Sequence, residues 1–163
     1  MKKILIGDGG MGSELRFRGV EVPSHIESIW SALALTTNTK EIKEIHLDYI
    51  EAGAQYITAN NYTVTRPILE RAGIADQLED LTLLSMSIAR EAIKESGKDI
   101  QLATSLPPLE TSYRADLVLD RSMLEDQYAE MVGIIEGKTD IIICETMAHS
   151  QEAEIALESI QNS

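Results

Sequence analysis

Apolar residues follow two alternating rhythms along this chain. Short continuous runs stand at 4–6, 55–58, 100–105 and 140–144. Runs of this kind fit strands covered on both faces. Between them, apolar residues recur at helical spacing over 40–52, 78–95, 123–136 and 150–160; the first of these sets Ile42, Ile45, Leu47, Tyr49 and Ile50 among charges. The first three helical stretches are followed by Gly53, Gly97 and Gly137, and glycine suits the left-handed turn that commonly ends a helix. The pattern therefore predicts four parallel strands near 3–8, 55–60, 100–105 and 140–145, each followed by a helix.

Parallel strands need such crossovers, and the crossovers are right-handed almost without exception. Two architectures share this rhythm, the doubly wound open sheet and the eight-stranded β/α barrel. Both place their sites just after strands. Polar residues with useful chemistry stand there in this chain: Asp8, Asn60, Asn61, Ser105 and Glu145. Rhythm alone leaves the two architectures open.

Composition narrows the class of protein. The chain has 163 residues, 44% hydrophobic and 25% charged, as expected of one folded domain spanning 1–163. The 27 acidic residues outnumber the 14 basic ones, a formal net charge of -13. No basic patch stands out, which argues against nucleic acid and anionic membranes as partners. Most of the acid, including Glu152 to Glu158, reads as solvated helix faces. No apolar run approaches the ~20 residues needed to span a bilayer. The apolar segment after Met1 is too short for a signal peptide. The single cysteine, Cys144, rules out an intrachain disulfide, and together these features suit the cytoplasm.

Two carboxylates lead the candidate chemistry. Asp8 opens a turn containing Gly9, Gly10 and Gly12, where the backbone can approach a ligand closely. Leu15 stands where a phosphate-binding G-x-G-x-x-G would need its last glycine, so that motif is not met. Glu145 follows an apolar strand, where a charge is costly unless paired. Together Asp8 and Glu145 suit a clamp for a substrate ammonium group. The bland readings are a tight turn with a helix cap at Asp8 and a structural salt bridge at Glu145. Asn60 and Asn61 equally fit an ordinary turn. His25, His46 and His149 match no zinc spacing, with His46 read as structural, and Cys144 reads as a small buried hydrophobe. Ser13 has no evident triad partners.

Taken in order, several segments resemble the homocysteine S-methyltransferase family, which includes betaine-dependent enzymes and the homocysteine module of cobalamin-dependent methionine synthase. They are 8–15, Trp30 to Ala32, 45–54, Ile57 to Tyr62, Ser105 to Arg114, and Glu145 with Thr146. The resemblance implies an α/β fold of the parallel (β/α) TIM-barrel type, truncated to about the first four β/α units as a half-barrel. It implies homocysteine and a methyl donor as substrates, with methionine as product. Asp8 and Glu145 would hold the ammonium end, and Gly9, Gly10, Asn60, Asn61 and Ser105 would line the pocket. The family's zinc, which would hold the substrate sulfur as a thiolate, is bound by three cysteines of the second half-barrel. The sequence stops before any of them, and Cys144 does not match a ligand position. The family usually has threonine where Asn61 stands. No zinc ligand and no catalytic group is therefore assigned in this chain, and the isolated chain is expected to be inactive. A half-barrel is expected to self-associate or to meet a complementing chain. The alternatives are a non-catalytic half-barrel that binds an amino acid or a partner, and another barrel enzyme using Asp8 and Glu145 as acid and base. The aldolase-like form of the latter is weakened because no Schiff-base lysine follows a strand.

Overall fold

A computed structural model describes residues 4–24 and 29–161. His25 lies outside the described residues. The chain begins with helix α1 (Met11–Phe17), followed by a 3-10 turn at Trp30–Leu33, the short α2 (Ala34–Thr37) and α3 (Thr39–Glu51). Strand β1 (Tyr56–Thr58) leads through a loop to α4 (Arg66–Arg71) and the long α5 (Leu78–Ser96). Strand β2 (Gln101–Leu106) precedes α6 (Arg121–Ile135), and β3 (Ile141–Cys144) precedes α7 (Ser150–Gln161).

The strands form one parallel sheet in the order β1-β2-β3. Ile57 pairs with Leu102, and Ser105 with Ile143. Helices pack beside the sheet, α3 against α5 and α6 against α7. Ile42, Ile45, Ile50, Ile57, Leu102, Leu106, Leu124 and Tyr128 are fully or almost fully buried. Each such aliphatic side chain contributes about 1.5–3 kcal/mol by leaving water. Asp120 caps α6, its carboxylate accepting from Met123 N at 3.1 Å and from the Ser122 hydroxyl at 2.9 Å. Gly97 ends α5 with φ +64°, the left-handed conformation its lack of a Cβ permits. No helix among the described residues is long and apolar enough to cross a membrane.

Three corrections to the sequence reading follow. The first apolar run is not a ladder strand. Ile6 O accepts from Gln55 N at 2.7 Å, but Ile6 N donates to the Gln55 side chain at 3.1 Å, and Thr58 N donates to the Asp8 carboxylate at 2.7 Å. Side chains thus take the place of backbone rungs, and the segment runs beside β1 without joining the sheet. Its side chains are outward, with Ile4 85% and Ile6 62% exposed. Second, β3 is only half-buried along its length, because it is the outer strand of the sheet among the described residues. Cys144 is accordingly half-buried rather than enclosed. Third, Glu152 is not on a solvated face: it is 2% exposed and belongs to a buried polar cluster.

Candidate functional site

The carboxyl ends of the three strands open into a cavity of about 620 Å³. Asp8, Gly9 and Gly10 form one side, Asn60 and Ser105 the floor over β1 and β2, and Glu145 the far side beyond β3. Six of the seven residues named from sequence thus meet in one place. The seventh, Asn61, is fully buried and serves from behind. Its amide donates to Ser105 O at 2.9 Å and accepts from Ser105 N at 3.1 Å, so it locks the end of β2. Asn60 donates to Ser31 O at 2.8 Å and ties the Trp30 turn to the loop after β1.

Both carboxylates are held by hydroxyls. Asp8 accepts from the Thr58 hydroxyl at 3.0 Å as well as from its backbone N–H. Burial pushes the Asp8 carboxyl above the ordinary aspartate range; the Thr58 bonds oppose that push, and the charge of Glu145 adds to it. Glu145 accepts from the Ser105 hydroxyl. The two acids therefore face one space, each oriented by a hydroxyl.

The glycine turn is required by what lies against it. A Cβ at Gly12 would stand 2.5 Å from Trp30 Cζ2, and one at Gly9 would stand 2.7 Å from the Tyr49 hydroxyl. These glycines let the Asp8 loop close onto aromatic rings, a reason distinct from phosphate binding.

Sequence reasoning assigned no site role to the aromatic side chains, although Trp30, Tyr62 and Tyr113 lie in segments of the resemblance. Trp30, Tyr56, Tyr62 and Tyr113 all line the cavity. Trp30 and Tyr62 meet edge to face, centroids 5.8 Å apart at 74°. The Tyr62 hydroxyl pairs with Ser112, and burial raises the Tyr62 phenol. Trp30, Tyr113 and Thr146 are the non-glycine residues with positive φ among the described residues, at +44°, +64° and +57°. All three border this cavity. Such backbone persists only where surroundings enforce it, and it concentrates at binding sites. The signal available in sequence was the placement of Tyr62 beside Asn61 and of Tyr113 in the loop after β2; the backbone strain has no local signature.

The zinc site that the resemblance implies does not fit the residues present. Cys144 is the chain's one cysteine, and burial pushes its thiol above the ordinary value, away from the thiolate a metal takes. Among the described residues no group of three His, Cys, Asp or Glu side chains is arranged to hold a metal ion. His149 uses Nδ1 to accept from Gln151 N at 3.2 Å at the start of α7. His46 is enclosed in α3 with neither ring nitrogen hydrogen-bonded.

The chain is a parallel α/β fold with two acids and four aromatics around the cavity at its strand ends. Comparison with known proteins makes the class specific. The family model for homocysteine S-methyltransferase matches residues 5–163, and the chain belongs to that family. It is 29% identical over 170 residues to homocysteine S-methyltransferase of Escherichia coli K12, covering 95% of this chain and 54% of that protein. It is 29% identical over 167 residues to homocysteine S-methyltransferase YbgG of Bacillus subtilis, covering 92% and 52%. The crystal structure of the metallated homocysteine methyltransferase MmuM from Escherichia coli superposes with a TM-score of 0.85 at 27% identity, over 99% of this chain and 60% of that one. The chain thus spans about half the length of the curated relatives it matches.

Proposed function

We propose that this chain supplies the amino-acid-binding half of a homocysteine S-methyltransferase site. One observation carries the reading: Asp8 and Glu145, from opposite sides of the sheet, face a single cavity at the carboxyl ends of the strands. Two oriented carboxylates suit an ammonium group, since charge-assisted hydrogen bonds are the stronger kind. Asn60 and Ser105 lie between them. The aromatic wall suits the other substrate. Faces and edges of Trp30, Tyr56, Tyr62 and Tyr113 beside two acids favour a methyl donor that carries positive charge, a sulfonium or quaternary ammonium, through cation–π attraction.

In the reaction the homocysteine sulfur forms a bond to the donor's methyl carbon. The donor's own bond to that carbon breaks, its electron pair staying on the departing sulfur or nitrogen, which leaves neutral. This chain's residues contribute binding, alignment and exclusion of water from the two reactants. The thiol proton must first pass to a base or be displaced by a metal that holds the thiolate, and neither is assigned among the described residues. The fold is read as the first part of a parallel β/α barrel, with Asp8, Asn60, Ser105 and Glu145 on its rim. The exposed run at Ile4 to Ile6 and the half-buried β3 form the two open sides that a complementing half-barrel or a second copy would cover. A reducing compartment such as the cytoplasm keeps the substrate thiol free. The aldolase-like form of the acid–base alternative is not favoured, because no lysine is among the described residues that line the cavity.

Calorimetry tests the reading. L-homocysteine and L-methionine should bind, and 4-mercaptobutanoate, which lacks only the amine, should bind at least about tenfold more weakly, as expected for losing a charged hydrogen bond. Glu145→Ala should erase most of that difference. Equal affinity for the amine and its deaminated analogue would defeat the proposal.

A further inference from the structure

Glu152 is an acid that the amino-acid site does not use, yet it is 2% exposed in the first turn of α7. Its Oε1 accepts from Leu109 N at 3.0 Å and from the Tyr128 hydroxyl at 3.3 Å. The same Tyr128 hydrogen has Pro107 O as its nearer acceptor at 2.8 Å, so it is shared between the two. The Glu152 Oε2 atom is buried with no hydrogen-bond partner. Burial pushes this carboxyl above the ordinary glutamate range, outweighing the bonds from Leu109 and Tyr128. An acid kept in such a place is poor for stability, which points to another reason for its presence.

That reason lies in what the bonds join. Leu109 sits in the loop between β2 and α6, and both of its backbone groups are claimed by side chains from elsewhere. Glu152 takes the N–H, and the Thr65 hydroxyl donates to the carbonyl at 2.6 Å. Arg71 holds Glu110 next along the loop from the solvent side. The same loop then delivers Ser112 and Tyr113 to the cavity, where Ser112 pairs with Tyr62 and Tyr62 packs on Trp30. Glu152 itself belongs to the segment after β3 that carries Glu145 and Thr146 into the cavity. One buried carboxyl therefore ties the loop after β2 to the segment after β3, both of which line the site.

We propose that Glu152 is a positioning residue that sets the Ser112–Tyr113 wall against the Glu145 side of the cavity through its bond to Leu109 N. Glu152 touches no substrate. Its effect reaches the ligand through the loop, Ser112, Tyr62 and Trp30. The inference rests on the amino-acid-site reading only for its ligand arm.

Trp30 is the sole tryptophan and sits at the end of this path, so its emission reports the wall without any ligand. In the full chain, Glu152→Ala should shift Trp30 emission to the red, increase its quenching by acrylamide and weaken methionine binding about tenfold. Glu152→Gln, which keeps an acceptor for Leu109 N, should restore most of each. Thr82→Val serves as a control for a merely structural loss, since it removes a buried hydroxyl bonded within α5, remote from the cavity. It should lower the melting midpoint and leave emission and affinity alone. If Glu152→Ala does not fold, Tyr128→Phe replaces it, with a smaller shift in the same direction expected. A folded Glu152→Ala, or in its place Tyr128→Phe, that lowers only the melting midpoint would overturn the proposal. Failure of methionine to bind the wild type would reject the amino-acid reading instead, and the Trp30 emission of the variants would then decide the role of Glu152.

Discussion

Thr58 gives both of its donors to Asp8, the backbone N–H at 2.7 Å and the hydroxyl at 3.0 Å. This pair joins the first loop to the end of β1 and replaces a rung of the sheet with a side-chain contact. It also decides how Asp8 titrates. Burial raises the carboxyl, and the Thr58 bonds stabilise its charged form and restrain the rise.

The pH dependence of ligand binding follows from that balance. An ammonium group needs Asp8 ionised, so affinity should fall as pH drops through the raised Asp8 value, above where an ordinary aspartate would act. Thr58→Val removes the hydroxyl bond and should move this loss to still higher pH, with about 1 kcal/mol of lost stability. Asp8→Asn should flatten that part of the profile and bind more weakly at neutral pH. Calorimetry across pH 4–8 would check it; an unaltered profile in Thr58→Val would count against the assigned role.

The glycines of the first loop should differ sharply in tolerance. Gly12→Ala places a methyl 2.5 Å from the ring of half-buried Trp30, so the ring or the loop must shift. Gly10→Ala meets nothing nearer than the Ser13 hydroxyl at 3.4 Å. Overpacking typically costs about 1–3 kcal/mol. Gly12→Ala is expected to lose that much and to alter Trp30 emission, while Gly10→Ala stays close to wild type. Denaturant titrations followed by Trp30 fluorescence measure both; equal effects would remove the packing explanation for the motif.

Buried His46 gives a stability signature with a definite sign. Burial without hydrogen-bond partners lowers it from 6.5 to about 4, so the native state keeps it neutral where the unfolded chain takes up a proton. Stability from this group is therefore full above pH 6.5 and falls as pH drops towards 4. The loss is about 3 kcal/mol at most, since one pKa unit corresponds to about 1.4 kcal/mol. Asp8 and Glu152, raised by burial, act in the opposite sense over their own ranges. The informative quantity is thus the difference between His46→Phe and wild type. It should grow in favour of the variant between pH 6.5 and 4.5, and urea unfolding at three or four pH values would reveal a flat difference if the assignment is wrong.

The long helices were legible because each carries its own periodicity and its own stop. The stretch read at 78–95 is α5 at Leu78–Ser96, and Gly97 ends it as its position suggested. Strands β1, β2 and β3 likewise lie where the apolar runs put them. What escaped was decided by neighbours. Helix α4 is six residues long with Pro67 in its first turn, too short for a periodic signal. The run at Ile4 to Ile6 has strand composition, but Gln55 and Asp8 use side chains where a ladder would use backbone. In the site, Asp8 and Glu145 stood out as lone acids after apolar runs. Trp30 and Tyr113 did not, because their place in the cavity goes with positive-φ backbone that has no local sequence signature. Glu152 shares the sequence character of Glu154 and Glu158, and only the approach of Leu109 and Tyr128 distinguishes it.

The open sides of the sheet lead to an expectation about association. Ile4 and Ile6 are largely exposed beside β1, and β3 shows half-buried isoleucines on the opposite side of the sheet. Unpaired strand edges with apolar side chains recruit further strands, and lysine on an edge is a common natural deterrent. The chain alone is therefore expected to form dimers or larger species with rising concentration, despite a net charge of -13 that opposes contact. Added salt should strengthen the association by screening that repulsion, which separates it from ion pairing. Ile6→Lys should weaken it while leaving the fold intact, because Ile6 bonds Gln55 through its backbone and buries little side-chain surface. Light scattering coupled to size exclusion, across concentration and salt, would decide. A compact monomer persisting at high concentration in high salt would show that the sheet edges are protected without a partner.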